Sequence, residues 1–114
     1  MDSERLRITS SPAGAQAAAV LKLSGPLVQS SLFDFQAAVR AETAPLVVLD
    51  FSEVPFMDSA ALGSIVNAHT SYINDQRRLR LAGVNEHVAV LLKVTNVDRV
   101  FAIYRTVSEA LASA

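Results

Sequence analysis

The 114-residue, 12.2 kDa chain is 51% hydrophobic, enough for a core without disulfides or a structural metal and short enough to predict one domain over residues 1–114. Ten Lys and Arg against 11 Asp and Glu leave a formal net charge of -1 with no block of like charge, which argues against holding nucleic acid by electrostatics. With no Cys, a disulfide framework, a thiolate nucleophile and a Cys-based zinc site are excluded, and a reducing, cytoplasmic compartment is expected.

In chain order, Met1 to Arg7 lacks the apolar stretch of a secretory signal, so no export is expected. Leu6 and Ile8 alternate with Arg5, Arg7 and Thr9, a strand pattern, and Ser10 to Gly14 reads as a turn. Ala18 to Leu23 is predicted as a second strand, stopped by Ser24-Gly25-Pro26 and forming a hairpin with the first. Ser30 or Ser31 is placed to cap a helix carrying Leu32, Phe35 and Val39 at helical spacing, with Asp34 in a capping-box position and an end near Glu42. Leu46 to Phe51 is apolar except for Asp50, as in a strand covered on both faces with a parallel neighbour.

From Ser59 the period changes from two to 3.6: Leu62, Ile65, Val66, His69 and Ile73 share a stripe over about four helical turns. Arg77 to Ala82 alternates charged and apolar residues up to Gly83, predicting a strand buried on one face with its arginines in solvent. Asn85 is a cap for a helix with Val88, Leu91 and Leu92 inward, closed by Asn96 in the left-handed conformation. Val100 to Tyr104 is a last short strand and Ser108 to Ala112 a last helix. The order β-β-α-β-α-β-α-β-α describes an α/β fold on one mixed β-sheet with packed helices.

Ser59 is the residue with functional weight. A buried strand feeds a Pro-containing loop, Ser52 to Met57, which delivers a hydroxyl to the first turn of a helix. A helix start carries unpaired N–H groups and a positive dipole end, and so can hold a phosphate. A plain helix cap is the competing reading of Ser59, and Asp58 either orients the Ser59 hydroxyl or caps the helix itself.

Val47-Val48-Leu49-Asp50-Phe51 followed by Phe56-Met57-Asp58-Ser59-Ala60-Ala61-Leu62-Gly63 resembles the STAS family, the domain of anti-sigma factor antagonists and sulfate-transporter tails. Gly25 after the second strand and Val107 to Leu111 at the end match the family's habits, so the resemblance covers essentially the whole chain. It implies a STAS-like fold and an anti-sigma factor antagonist that is a phosphorylation-controlled partner switch. Ser59 would be the phosphoacceptor, with Asp58, Ala60 and Ala61 at the switch; Phe56 and Met57 just before it would offer a partner a soft apolar contact, the competing reading, preferred for Met57, being that they close the core beneath the loop. The unphosphorylated form would bind an anti-sigma factor that is also a serine kinase and so release the sigma factor; a serine phosphatase would reset the switch. It would be a substrate, not an enzyme, with no cofactor, no nucleic acid and no direct membrane insertion. The family commonly continues Asp-Ser-Ser/Thr-Gly where this chain has Ala60 and Ala61, and often has an acidic residue where Gly25-Pro26-Leu27 is followed by Val28. A constitutive STAS adaptor subunit of a membrane transport complex is the alternative, and a nucleotide-phosphate sensor ranks last because no glycine-rich phosphate loop is present.

Other chemistry is poorly supported. Ser59 and His69 stand ten residues apart on one predicted helix, ~15 Å, too far for a catalytic pair. Asp50, Glu53 and Asp58 are fewer ligands than an oxygen-liganded metal needs. His69 is read as a packed, hydrogen-bonded residue at the core edge, His87 as exposed, and Arg77, Arg78 and Arg80 as a solvated face first and a phosphate patch second.

Overall fold

The computed structural model describes residues 5–13 and 17–112. Its elements are β1 (Arg7–Ala13), β2 (Ala18–Ser24), α1 (Leu32–Ala41), β3 (Leu46–Glu53), α2 (Ser59–Asn74), β4 (Arg78–Ala82), α3 (Glu86–Val94), β5 (Ile103–Tyr104) and α4 (Val107–Ala112), with single 3-10 turns over Gln29–Ser31 and Val97–Arg99. This is the predicted order. The sheet runs β1-β2-β3-β4-β5; β1 is antiparallel to β2, and the remaining pairings are parallel. Each parallel step needs a crossover, which α1, α2 and α3 supply.

Side chains of β3 alternate between two cores. Val47, Leu49 and Phe51 join Phe35 and Val39 of α1, Leu62, Ile65 and Tyr72 of α2, and Val88 and Leu92 of α3. Val48 points the other way, against Ala82 and Ala110, where α4 lies with Val107 and Leu111. The hydrophobic burial expected of Leu46 to Phe51 is therefore real: Val47, Val48, Leu49 and Phe51 are all fully buried, each contributing about 1.5–3 kcal/mol of transfer free energy.

Five expectations are corrected. Ser10 to Pro12 is not a turn, because β1 continues through it to Ala13; β1 is an edge strand, the place in a sheet where a proline such as Pro12 is tolerated, and Gly14 lies outside the described residues. Ser31 precedes α1, but its hydroxyl caps no N–H of that helix; it accepts from the Val28 N–H at 3.1 Å and stabilises the 3-10 turn instead. On α2 the stripe turns toward Tyr72, leaving Ile73 55% exposed. The Tyr72 hydroxyl donates to the Val39 carbonyl at 2.8 Å, and burial raises its pKa above the ordinary phenol value. β4 is buried on both faces, since α4 covers the side that carries Arg80. The last strand shrinks to two residues, the segment before it forming a 3-10 turn.

The arginines accordingly do not form one solvated row. Arg80 is 5% exposed, donates to the Ala110 carbonyl at 2.6 Å and lies over the Tyr104 ring. Arg77 donates to the Ala44 and Glu42 carbonyls and stacks 4.0 Å from the Tyr72 ring centroid. Only Arg78 of the three is exposed.

Candidate functional site

The carboxyl end of β3 passes into residues 54–57, a short segment tied on two sides. Asn85 accepts from the Val88 N–H at 2.8 Å, capping α3 as expected, and its amide also donates to the Val54 and Pro55 carbonyls at 3.2 and 3.0 Å. On the other side Leu27 and Met57 form a parallel bridge, with the Leu27 N–H donating to the Phe56 carbonyl at 3.1 Å and the Asp58 N–H to the Leu27 carbonyl at 3.3 Å. Gly25, two residues before that bridge, is pressed against Arg5 and Leu6 at the approach to β1. Its φ of +115° is unfavourable for a side chain, a Cβ there would sit 2.9 Å from the Arg5 carbonyl oxygen, and its N–H donates to the Glu53 carbonyl.

Asp58 is the N-cap of the 16-residue helix α2. One carboxylate oxygen accepts from the Ala61 N–H at 2.9 Å and the other from the Gln29 N–H at 3.0 Å. The cap reading therefore holds for Asp58, which also fastens the 3-10 turn beside α2. Ser59 is the first residue of the helix, is exposed, and its hydroxyl enters no hydrogen bond among the described residues. Since Asp58 already supplies the cap, Ser59 is not needed for that purpose. The N–H groups of Ala61 and Leu62 are taken by Asp58, so those of Ser59 and Ala60 are the first-turn donors open to an added group.

The remaining residues expected at the partner surface separate by burial. Phe56 is 43% exposed and Ala60 half-buried, whereas Met57 (5%) and Ala61 (0%) are buried. Met57 and Ala61 belong to the core beneath the loop. Ala61 in particular fills space under the first turn with its methyl group.

Near the same end of the sheet, Lys22 and Glu53 form a 2.9 Å ion pair, and the Ser24 hydroxyl donates to Glu53. The bonds from Ser24 and then Lys22 hold the Glu53 carboxyl below its ordinary pKa, while Glu53 raises that of Lys22. Asp50 accepts from the Ser52 N–H at 3.0 Å. Asp50, Glu53 and Asp58 thus have separate partners, and no cluster of three His, Cys, Asp or Glu suited to a metal occurs among the described residues. Ser59 and His69 lie on one continuous helix, ten residues or ~15 Å apart. His69 is packed at the core edge, its ring centroid 4.7 Å from that of Phe101; contrary to expectation its buried Nδ1 has no hydrogen-bond partner among the described residues.

Two contributors were not visible in the sequence as parts of this site. Gln29 enters through its backbone N–H, which no side-chain pattern announces, and Asn85 carried a capping signal but none for its grip on residues 54 and 55.

The STAS domain family profile matches residues 12–110. The chain belongs to the STAS domain family. A Thermotoga neapolitana protein provisionally named an anti-sigma factor antagonist is 42% identical over 65 residues, which is 57% of this chain and 58% of the relative's own length. The crystal structure of a protein from Thermotoga maritima, titled with the same provisional assignment, aligns with a TM-score of 0.84 at 29% identity over 91% of each chain. The anti-sigma factor antagonist SpoIIAA in its unphosphorylated form aligns at a TM-score of 0.75 with 16% identity, covering 92% of this chain and 93% of that one. The phosphorylated form of SpoIIAA from Bacillus gives 0.70 with 15% identity, covering 92% and 96%. At those identities the SpoIIAA likeness concerns the fold, which is common to both forms of that protein. No helix among the described residues is long and apolar enough to cross a membrane.

Proposed function

We propose that this protein is an anti-sigma factor antagonist that works as a phosphorylation-controlled partner switch, with Ser59 as the phosphoacceptor. The observation that carries the reading is the exposed, unbonded hydroxyl of Ser59 at the first position of α2, beside a neighbour that already caps the helix. The similarity to relatives provisionally named anti-sigma factor antagonists supports the partner class. In this reading the unphosphorylated protein binds an anti-sigma factor that is also a serine kinase, so releasing the sigma factor, and a serine phosphatase restores the bound state. The protein acts in the cytoplasm, catalyses nothing itself, and binds no nucleic acid.

The electrostatics favour a switch at the surface over one that unfolds the domain. A phosphoserine adds about -1.5 to -2 charges. The helix dipole favours such a group by about 0.3–1 kcal/mol, and the open Ser59 and Ala60 N–H groups can pair with it. Repulsion from Asp58, at an assumed ~6 Å in water, is on the order of 1 kcal/mol before salt screening. The two effects nearly cancel, so the fold tolerates the phosphate. A partner surface pressed against that end has no such compensation: desolvating or repelling the added charge at a cost of about 2–4 kcal/mol weakens binding about 30- to 1000-fold.

Incubation with the cognate kinase and ATP, followed by peptide mass spectrometry, tests the acceptor. Phosphate is expected on Ser59. Labelling of Ser71 or another serine with Ser59 untouched would overturn the assignment; Ser64 is a poor acceptor because it is 7% exposed and accepts a hydrogen bond from Gln36.

A further inference from the structure

Phe33 is the most exposed large hydrophobic side chain among the described residues, at 76%. It is the second residue of α1, and the positions on either side of it are tied to α2. Four residues before it, the Gln29 N–H donates to Asp58, the neighbour of Ser59; three residues after it, the Gln36 side-chain amide donates to the Ser64 hydroxyl at 3.1 Å. These ties join residues 29 and 28 positions apart, so Phe33 stands level with the first turn of α2, across an interhelical distance of about 8–10 Å. Helical rotation turns it about 60° from Gln36, off the contact between the helices and toward solvent. On the facing helix Ala60 is half-buried, and Gly63 is exposed, with no atom within 4 Å of the place a Cβ would take. Over residues 26–39 and 54–64 the only charged side chains are Asp34 and Asp58, a sparse charge that suits the centre of an interface.

We propose that Phe33 is the apolar anchor by which the serine kinase that phosphorylates Ser59 grips this protein, the ring entering an apolar pocket of that kinase. The inference rests on the reading of Ser59 as the acceptor. In the transfer, the bond from the Ser59 Oγ to the γ-phosphorus of ATP forms as the bond to ADP breaks, and the hydroxyl proton leaves to water, so the kinase has to close over Ser59. A stable interface covers about 800 Å² of each partner, a disc of roughly 16 Å radius. A footprint of that size centred on Ser59 takes in Phe33, and a well-packed aromatic ring within it has the character of a binding hot spot. Gly63 leaves the kinase room to approach α2 closely. A second copy of this chain seated on Phe33 would cover Ser59 and bar the kinase, which makes the kinase the occupant.

The test measures phosphorylation of the full chain by the kinase of the acceptor experiment, at saturating ATP, in the wild type and in variants. Phe33→Ser should keep the native circular dichroism and melting temperature, since the ring is exposed, and should raise KM about 30-fold with kcat unchanged, because the ring does not touch the reacting atoms. Phe33→Leu keeps an apolar side chain and should raise KM less than about fivefold. Gly63→Gln meets no atom of the free domain and adds a better helix former, so it should raise the melting temperature and yet raise KM about tenfold or more. Val94→Ser, at a similarly exposed aliphatic residue on α3, should leave KM as it is. An unchanged KM in Phe33→Ser with Ser59 normally labelled would overturn this proposal and leave the acceptor reading standing, whereas a wild type that takes no phosphate on Ser59 would overturn both. An equal loss in Val94→Ser, or a concentration-dependent dimer of the free protein that Phe33→Ser abolishes, would also overturn the proposal, the last by making a second copy the occupant.

Discussion

The two ends of α2 are built on opposite plans. At its start both carboxylate oxygens of Asp58 are engaged, Leu27 and Met57 bridge beneath it, and Asn85 holds the incoming loop, so one small hydroxyl and the Ser59 and Ala60 N–H groups stand out from a bonded surround. At its end Tyr72 is tied to α1 and Arg77 to the α1–β3 connection, and beside them lie a two-residue strand, two exposed aliphatic side chains and a buried His69 nitrogen with no hydrogen-bond partner among the described residues. The first end can accept a change of charge without moving, because the neighbouring structure does not rely on Ser59.

The largest stability effect among the variants that probe this contrast belongs to Asp58→Ala. It removes a helix cap worth about 1 kcal/mol and a second charge-assisted bond to Gln29 of similar size. A loss of about 2 kcal/mol should lower the melting temperature by roughly 6–12 °C in a chain of this size. A thermal shift under a degree would mean that the tether to Gln29 does not hold this end. Tyr72→Phe, at the opposite end, removes one buried hydrogen bond and leaves the Val39 carbonyl without it, so chemical denaturation should report a loss of about 1 kcal/mol.

Ser59→Ala should change stability by less than about 0.5 kcal/mol, since the exposed hydroxyl forms no hydrogen bond among the described residues. It should bind the partner and resist regulation. Ser59→Asp should weaken that binding only partly, having less charge and fewer acceptor oxygens than a phosphate. A large stability loss in Ser59→Ala would mean that Ser59 supports the helix and would move weight to the plain cap reading.

The smallest effect concerns the exposed Glu53 pair. The bonds from Ser24 and Lys22 hold its folded pKa below the ordinary carboxylate value, so the stability it contributes is present above that ordinary value and is lost as pH falls through the lowered one. Glu53→Gln should therefore flatten the acid limb of the stability profile slightly in that window and leave it unchanged near neutral pH. Urea melts across the acid range would detect the difference, and an unchanged acid limb would show the pair to be inert.

The sequence made the element order legible because its signals are local. β3 is a continuous apolar run, Asn85 is followed by a helical stripe, and Asn96 takes the left-handed conformation, φ 61°, that its residue type tolerates. What stayed hidden was long-range. The alternation of Arg78, Leu79, Arg80 and Leu81 reads as a strand with one wet face, and only the arrival of α4 from the end of the chain turns Arg80 inward against Ala110. Ser31 has a capping side chain at a capping position, yet the 3-10 turn before α1 claims its hydroxyl. At the candidate site, Asp58 and Ser59 were legible as neighbours at a helix start, whereas their division of labour depends on a backbone N–H from Gln29 that no residue type encodes.

The most direct test of the switch is calorimetric titration of the anti-sigma factor into this protein before and after complete phosphorylation of Ser59, with circular dichroism confirming an unchanged fold. The account predicts an affinity about 30- to 1000-fold weaker for the phosphorylated form. Equal affinities of the two forms, or a loss of binding that accompanies collapse of the domain, would contradict it.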